Sequence, residues 1–247
     1  MSETLSQPEE TPEEISPEEL ERQAHEKQWM EAEDPGEMLN NIEVTLSDRK
    51  SRLFLLGCFQ SISDICPKEA IELAEKYADG LVVKETLAPM KDFLSRNAHD
   101  DNNDLDIVFS TMYPLCEEKI VPYACKDASI SVARLFARHN IPTSEYLKKS
   151  KEVIVEQRES QANLLRDIIR NPFAKEKVEM EPAWYTQNVI DLARSIYEEK
   201  AFDRMPILAD ALMDAGCENE EIINHCRGSE CPHVRGCWVV DMILGKQ

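Results

Sequence analysis

The sequence predicts an all-α protein, and three observations lead to this expectation. Apolar residues recur at helical spacing along most of the chain, and no sustained alternation of apolar and polar residues indicates a β-strand. Only 7 of the 247 residues are glycine, whereas ordinary domains contain about 7%. Helix pairs joined by short turns favour a two-lobed helical bundle or a short stack that resembles helical repeats.

Four segments are expected along the chain. Residues 1–27 are predicted to be a disordered acidic tail, because such a segment has too little apolar surface to offset the entropy cost of ordering, and a helical turn near Ser16–Gln28 stays open. Residues 28–171 are expected to form an N-terminal helical lobe. Residues 172–182 contain a proline at each end and are interpreted as a linker. Residues 183–247 then form a C-terminal helical lobe.

Capping residues and prolines place the helices of the N-terminal lobe. Ser47 precedes a strongly apolar run and is a suitable N-cap. Thr143 or Ser144 is expected to cap a long helix, which ends at Asn171 because Pro172 pushes that residue out of helical geometry. The other helices of this lobe are predicted around residues 71–78, 84–97 and 127–139.

The C-terminal lobe contains the clearest amphipathic helix. Apolar residues in the range 189–197 follow the i, i+3, i+4, i+7, i+8 pattern closely. A helix around residues 207–212 follows and is stopped by Gly216, and a short one is expected at residues 218–226. The last helix is predicted to begin at Val234 or Gly236 and to end at Leu244.

The charge of the chain argues against several classes of function. With 28 basic and 48 acidic residues, the net charge is −20. Neither nucleic acid nor an anionic membrane is therefore an expected partner. There is no apolar run of the roughly 18 residues that a membrane span requires. Because the chain has no export signal, its eight cysteines are expected to be reduced thiols in the cytoplasm.

Several motifs of the chain occur in combination in one known family of proteins. They include segments of residues 29–58 and, after residue 160, Leu164-Leu165-Arg166-Asp167-Ile168, Asn171-Pro172-Phe173, His225-Cys226-Arg227 and His233-Val234-Arg235-Gly236-Cys237-Trp238. In these the chain resembles a large set of uncharacterised all-helical bacterial proteins, which are abundant in planctomycetes. The resemblance covers most of residues 28–247 and implies no activity. Cys231 departs from the small connection that is usual in that family.

The segment from Cys217 to Cys237 is the strongest candidate for a functional site. It holds four of the eight cysteines and two of the five histidines, which are the soft sulfur and imidazole ligands that zinc prefers. The candidate ligands are His225, Cys226, His233 and Cys237, and Cys231 is a further candidate. Cys217 is set aside, because a helix would place it about 12 Å from His225 along its axis.

Other interpretations of the same segment stay open. Cys226 and Cys237 also suit a role as small apolar residues between helices. Arg227 and Arg235 would either bind a carboxylate or phosphate or pair with acidic residues of the chain. A cysteine nucleophile lacks an identifiable orienting group and oxyanion site. The run at residues 100–106 imitates a calcium-binding loop, but it has Leu105 where that loop requires glycine.

Two hypotheses of function follow from the sequence. The first is a non-enzymatic cytoplasmic interaction or regulatory scaffold that binds a protein partner, with no catalytic residues and no cofactor. The alternative is a helical protein that binds zinc or an anion near residues 225–237, with or without an enzymatic activity.

Overall fold

The computed structural model describes residues 15–41, 46–98, 104–120, 122–228 and 233–246. Over these ranges every regular element is a helix and none is a strand, which confirms the all-α prediction. The α-helices are α1 (Pro17–Glu31), α2 (Pro35–Asn41), α3 (Asp48–Gln60), α4 (Lys68–Ala78), α5 (Ala88–Asn97), α6 (Asp104–Met112), α7 (Pro122–Asn140), α8 (Tyr146–Ile168), α9 (Gln187–Glu199), α10 (Met205–Asp214), α11 (Glu220–Arg227) and α12 (Trp238–Leu244).

Polar side chains begin several of these helices by accepting from a free backbone amide. Ser47 accepts from the amide of Lys50 at 3.3 Å and begins α3, as the sequence predicts. Thr186 and Asn219 begin α9 and α11 in the same way. These local bonds satisfy amides that the first turn of a helix leaves without a partner.

Three boundaries differ from the sequence-based expectation. Helix α1 begins at Pro17, so the limit placed at residue 28 lies inside a helix, whereas residues 1–14 fall outside the described ranges. Helix α8 begins after Glu145, which forms no side-chain cap, rather than after Thr143 or Ser144. The last helix begins at Trp238, so the residues before it form a turn.

Helix α1 is tied to the body of the molecule at both of its ends. Arg22 donates to the carbonyl of Phe173 at 2.5 Å, and Arg166 donates to the carbonyl of Trp29 at 2.9 Å. Trp29 itself is buried in the core. Polar contacts and one aromatic anchor therefore order a segment whose apolar content is low.

The buried apolar side chains form two clusters. One extends from Trp29 to Ile169 and belongs to α1–α8. The other extends from Trp184 to Ile243 and belongs to α9–α12. The change from one cluster to the other falls in the segment 172–182, which the sequence marks as a linker.

A network of ion pairs joins the two clusters. Arg49 of α3 donates to both carboxylate oxygens of Asp241 in α12, at 2.6 and 3.0 Å, and to the Tyr197 hydroxyl of α9 at 3.0 Å. Tyr197 also donates to Asp79 at the end of α4. Arg235 donates to the same carboxylate at 3.1 Å. The C-terminal lobe is thus fixed against α3 and α4.

Among the described residues, no helix combines the length and the apolarity that crossing a membrane would require.

Candidate metal centre

Four side chains with metal-binding atoms converge between the two lobes. They belong to Asp167, His225, His233 and Cys237, and one ligand atom from each lies within 4.8 Å of every other. Asp167 Oδ1 is 2.6 Å from His233 Nδ1 and 3.2 Å from His225 Nε2. Cys237 Sγ is 3.2 Å from His225 Nε2 and 3.8 Å from His233 Nδ1. Three of the four residues predicted from the sequence are in this group.

Asp167 comes from the N-terminal lobe, in the last turn of α8. An ionised carboxylate is unfavourable at this position, because the carbonyl end of a helix carries a partial negative charge. Its neighbours Leu164, Leu165 and Ile168 are buried apolar residues, and Asp167 itself has no exposed surface. A carboxylate among buried leucines is the signal in the sequence that could have pointed to this ligand.

His225 comes from α11, and its position explains why Cys226 is not in the group. Successive residues of a helix are rotated by about 100°, so neighbouring side chains cannot point to the same centre. Cys226 is instead fully buried in the apolar cluster of the C-terminal lobe. Burial raises the pKa of its thiol to about 12.

His233 and Cys237 converge through a turn rather than through one face of a helix. The amide of Cys237 donates to the carbonyl of Val234 at 3.0 Å. Gly236 has a φ of +97°, and a Cβ there would lie 3.0 Å from Leu53 and 3.5 Å from Ile168. Glycine is therefore required both by the backbone and by the close approach of the two lobes.

Burial and hydrogen bonding decide the protonation of Asp167 and Cys237. Burial and the nearby charge of Asp167 raise the pKa of the Cys237 thiol well above its usual value. Burial also opposes ionisation of Asp167, but hydrogen bonds from His225 and His233 outweigh it and lower the pKa of that carboxyl. In the absence of an ion, Asp167 is therefore a carboxylate and Cys237 is a protonated thiol.

The geometry differs from that of a catalytic cysteine–histidine–aspartate triad. In a triad the nucleophile and the carboxylate lie on opposite nitrogens of one histidine. Here Cys237 and Asp167 both approach Nε2 of His225, and both approach Nδ1 of His233. Four ligand atoms that meet at one point are suited to a cation once the histidine protons are released, not to a proton relay.

Three of the distances between the four ligand atoms are close to those of a tetrahedral zinc site. Bonds of about 2.0–2.3 Å place tetrahedral ligands roughly 3.3–3.8 Å apart. The distances of 3.2, 3.2 and 3.8 Å lie close to this range. The 2.6 Å between Asp167 and His233 is a hydrogen-bond distance, so that pair would separate by about 0.7 Å when the ion enters. One oxygen, two nitrogens and one sulfur also favour zinc over calcium or magnesium.

Further contacts hold the ligands in place. Asp167 Oδ2 accepts from the amide of Val234 at 2.9 Å, which leaves Oδ1 to face the other three groups. Lys50 donates to the carbonyl of Ile168 at 2.7 Å and fixes the end of α8. Such contacts outside the ligand set orient metal ligands in known sites.

The two arginines considered as an anion site have separate acidic partners. Arg227 lies 2.6 Å from Asp210 on the exposed surface. Arg235 lies 3.1 Å from Asp79 and stacks on the ring of Tyr197. They do not form a shared anion site, and pairing with acidic residues is the arrangement observed.

Two other segments that the sequence analysis considers, one of them without predicting a calcium site, fall largely outside the described residues. Cys231 and residues 100–103 of the calcium-like run are among them. Asp104 begins α6 and forms an ion pair with Arg138 at 3.2 Å. Cys217, set aside as a ligand, is buried in the C-terminal apolar cluster.

Comparison of the chain with protein-family models finds no match, and comparisons with curated proteins and with solved structures find none either. The resemblance to the planctomycete-abundant bacterial proteins therefore stays a prediction. The candidate function rests on the geometry of the site itself.

Proposed function

We propose that this protein binds one zinc ion between its two lobes and that the ion has a structural role in a non-enzymatic helical scaffold. The observation that carries the proposal is the convergence of Asp167 from α8 with His225, His233 and Cys237 from the C-terminal lobe. An ion bound by all four would cross-link the lobes.

A closed coordination shell supports the structural role. Catalytic zinc sites usually have three protein ligands and keep a position for water or substrate, whereas structural sites have four protein ligands. Here four protein atoms are available, and the ligand side chains are almost inaccessible: His225, the most exposed, retains 14% of its side-chain surface. An ion held in this way has little room for a substrate.

The proposal also suits a reducing compartment such as the cytoplasm. Zinc binding requires Cys237 as a thiolate, and oxidation of that thiol would remove the ligand. The seven cysteines in the described part of the chain are all free thiols. A protein partner for the scaffold stays a prediction from the sequence.

Metal analysis of the purified protein tests the proposal. We expect one zinc per chain, and we expect Cys237→Ala and His233→Ala to lose it. The matched control is Cys226→Ala, which removes an equally buried cysteine of the same lobe that lies outside the ligand group.

The contrast between the two cysteine variants is the decisive measurement. Cys226→Ala should retain the zinc, although both variants lose a buried sulfur and become less stable for that reason. A folded wild-type protein that takes up no zinc from a metal-supplemented buffer would refute the proposal. Equal zinc retention in both cysteine variants would refute the proposed ligand set.

A further inference from the structure

A cavity of about 340 Å³ lies between three helices of the N-terminal lobe and shares no residue with the candidate metal centre. Its lining consists of one residue of α6, four of α7 and two of α8, among them the hydroxyl side chains of Ser131 and Tyr146. A volume of this size is at the lower end of the range for small-molecule sites.

The wall of this cavity combines apolar surface with positive charge. Ile107, Leu135 and Ile154 supply the apolar surface, one from each helix. Arg134 and Arg138 line it too, and no acid is among the lining residues that the structure describes. The lining charge is therefore +2 (two arginines, no acid), in a chain whose net charge is −20. A cationic cavity in an acidic protein is suited to an anionic ligand.

The two arginines differ in what the fold provides for them. They are one turn apart on α7, and like charges at this spacing repel each other. Arg138 lies in the last turn, where the helix dipole favours a cation, and its Nε is 3.2 Å from Asp104. Arg134 lies before that turn, and within the described ranges it has no acidic partner. An anion bound between the two would relieve their repulsion and pair with Arg134.

Both guanidinium groups can be reached from solvent. Arg134 is exposed, and 42% of the Arg138 side chain is exposed. A guanidinium carries five donor hydrogens, so the approach of Arg138 Nε to Asp104 leaves its terminal amino groups for a ligand. The planar fork of arginine matches two oxygens of a phosphate.

We propose that the cavity between α6, α7 and α8 binds a small phosphate monoester. The phosphate lies at Arg134 and Arg138, and the organic group packs on Ile107, Leu135 and Ile154. Such a phosphate carries a charge of about −1.5 to −2 at pH 7, which matches the two cations. The inference does not depend on the proposed zinc ion, because none of its ligands lines the cavity.

Calorimetric titration of the full-length protein with phenyl phosphate tests this inference. We expect saturable binding of one ligand per chain. Phenol has no phosphate and inorganic phosphate has no apolar group, so each should bind about tenfold more weakly or worse. Added salt should weaken the binding of phenyl phosphate, because the arginines are partly exposed.

Arg134→Gln removes the arginine that has no acidic partner among the described residues. We expect phenyl phosphate to bind about tenfold more weakly or worse, as when a charge-assisted hydrogen bond is lost. The matched control is Arg194→Gln, which removes the same charge from an exposed arginine of α9 outside the cavity. The control should leave the affinity unchanged, and thermal unfolding of both variants checks that the fold is kept.

Asp104→Asn is a second variant, and its expected effect is a gain of affinity, which misfolding does not imitate. It removes the carboxylate that lies 3.2 Å from Arg138. Phenyl phosphate should then bind about threefold more tightly or better, because a negative charge near the anion is lost. An affinity no tighter than that of the wild type would place the phosphate away from Arg138 and contradict the site.

The inference is overturned if phenyl phosphate shows no saturable binding, or if phenol or inorganic phosphate binds equally well. Equal affinities in Arg134→Gln and Arg194→Gln also overturn it. A phosphotyrosine peptide that binds much more tightly than phenyl phosphate would replace the small molecule by a phosphorylated protein as the ligand.

Discussion

The two lobes are in contact through polar groups at two places, and the chemistry of the two contacts differs. In the ion-pair network, Arg49 meets Asp241 through two bonds, and Arg235 and Lys246 lie 3.1 and 3.4 Å from Asp79. In the candidate metal centre, ligand atoms of a buried carboxylate, two histidines and a cysteine lie within 4.8 Å of one another. The first is complete within the chain, whereas we propose that the second is completed by a cation from outside.

The two connections should therefore contribute to stability under different conditions. A paired network depends on both partners being present and responds to substitution. A ligand cluster depends on the concentration of its ion and responds to a chelator. Variants and metal removal should therefore affect the two connections independently.

The largest effect is expected from breaking the ion-pair network. Asp241→Ala leaves the Arg49 guanidinium, with 13% of its side chain exposed, without its main partner. We expect the free energy of unfolding in urea to fall by about 3–5 kcal/mol, as for other half-broken buried pairs. Asp210→Ala removes an exposed partner of Arg227 and should change it by less than about 0.5 kcal/mol. Equal effects of the two variants would contradict the assigned role of the network.

Metal removal addresses the other connection. At a free zinc concentration one hundred times the dissociation constant, the ion should add about 2.7 kcal/mol to the free energy of unfolding. A chelator should remove this increment from the wild type and from Asp241→Ala alike, because that variant keeps all four ligands. Asp167→Asn should show no increment. A zinc increment in Asp167→Asn as large as that of the wild type would exclude Asp167 as a ligand.

Gly236 tests the turn that carries two of the ligands. Alanine at this position would be strained by the positive φ of the backbone, and its methyl group would lie 3.0 Å from Leu53. We expect Gly236→Ala to cost about 2–3 kcal/mol from strain and overpacking together and to weaken zinc binding. Gly245 also has a positive φ, +64°, but a Cβ there would have open space around it. Gly245→Ala should therefore lower the free energy of unfolding by about 1 kcal/mol without a change in zinc affinity. Equal zinc affinities in the two variants would argue against the turn as the support of the ligands.

The smallest effect is expected for an ion pair inside the N-terminal lobe. Because this pair is partly exposed, its contribution to stability can be compared with that of the buried network. Arg158 donates to Asp34 at 2.8 Å, and 37% of the Asp34 side chain is exposed. Partial burial opposes ionisation of Asp34, but the hydrogen bond and charge of Arg158 outweigh it and lower its pKa. Asp34→Asn should therefore cost less than about 1 kcal/mol at pH 7.

The sign of the pH dependence follows from this lowered pKa. The contribution of Asp34 is fully present above the ordinary pKa of 3.8 and is lost as the pH falls through the lower folded value. The stabilities of the wild type and Asp34→Asn in urea titrations should therefore begin to converge below about pH 4 and become equal only below the folded pKa. A difference that grows on acidification would contradict the assignment.

The local structure of this protein follows from its sequence to a considerable extent. The cap at Ser47 and the amphipathic pattern of residues 189–197 act over a few residues, so the sequence alone predicts them. Thr143 and Ser144 were wrong as caps of α8, because residues 142–145 form a separate turn in which the amide of Glu145 donates to the carbonyl of Pro142.

The metal centre shows what sequence proximity cannot provide. Cys226 is adjacent to His225 in the chain but points away from it on the helix. Asp167 lies 58 residues before His225 and reaches the site only because α8 ends against the turn at residues 233–237. Packing between distant segments brings this ligand to the site, and the spacing of residues in the sequence does not predict it.

The packing of Trp238 against the site has a practical consequence. Its ring lies 4.9 Å from that of His225, and the residue is only 7% exposed. The indole therefore lies beside the proposed ion position and can report on it through its fluorescence. Replacing zinc with paramagnetic cobalt should quench its fluorescence, so that metal exchange can be followed in real time without a label.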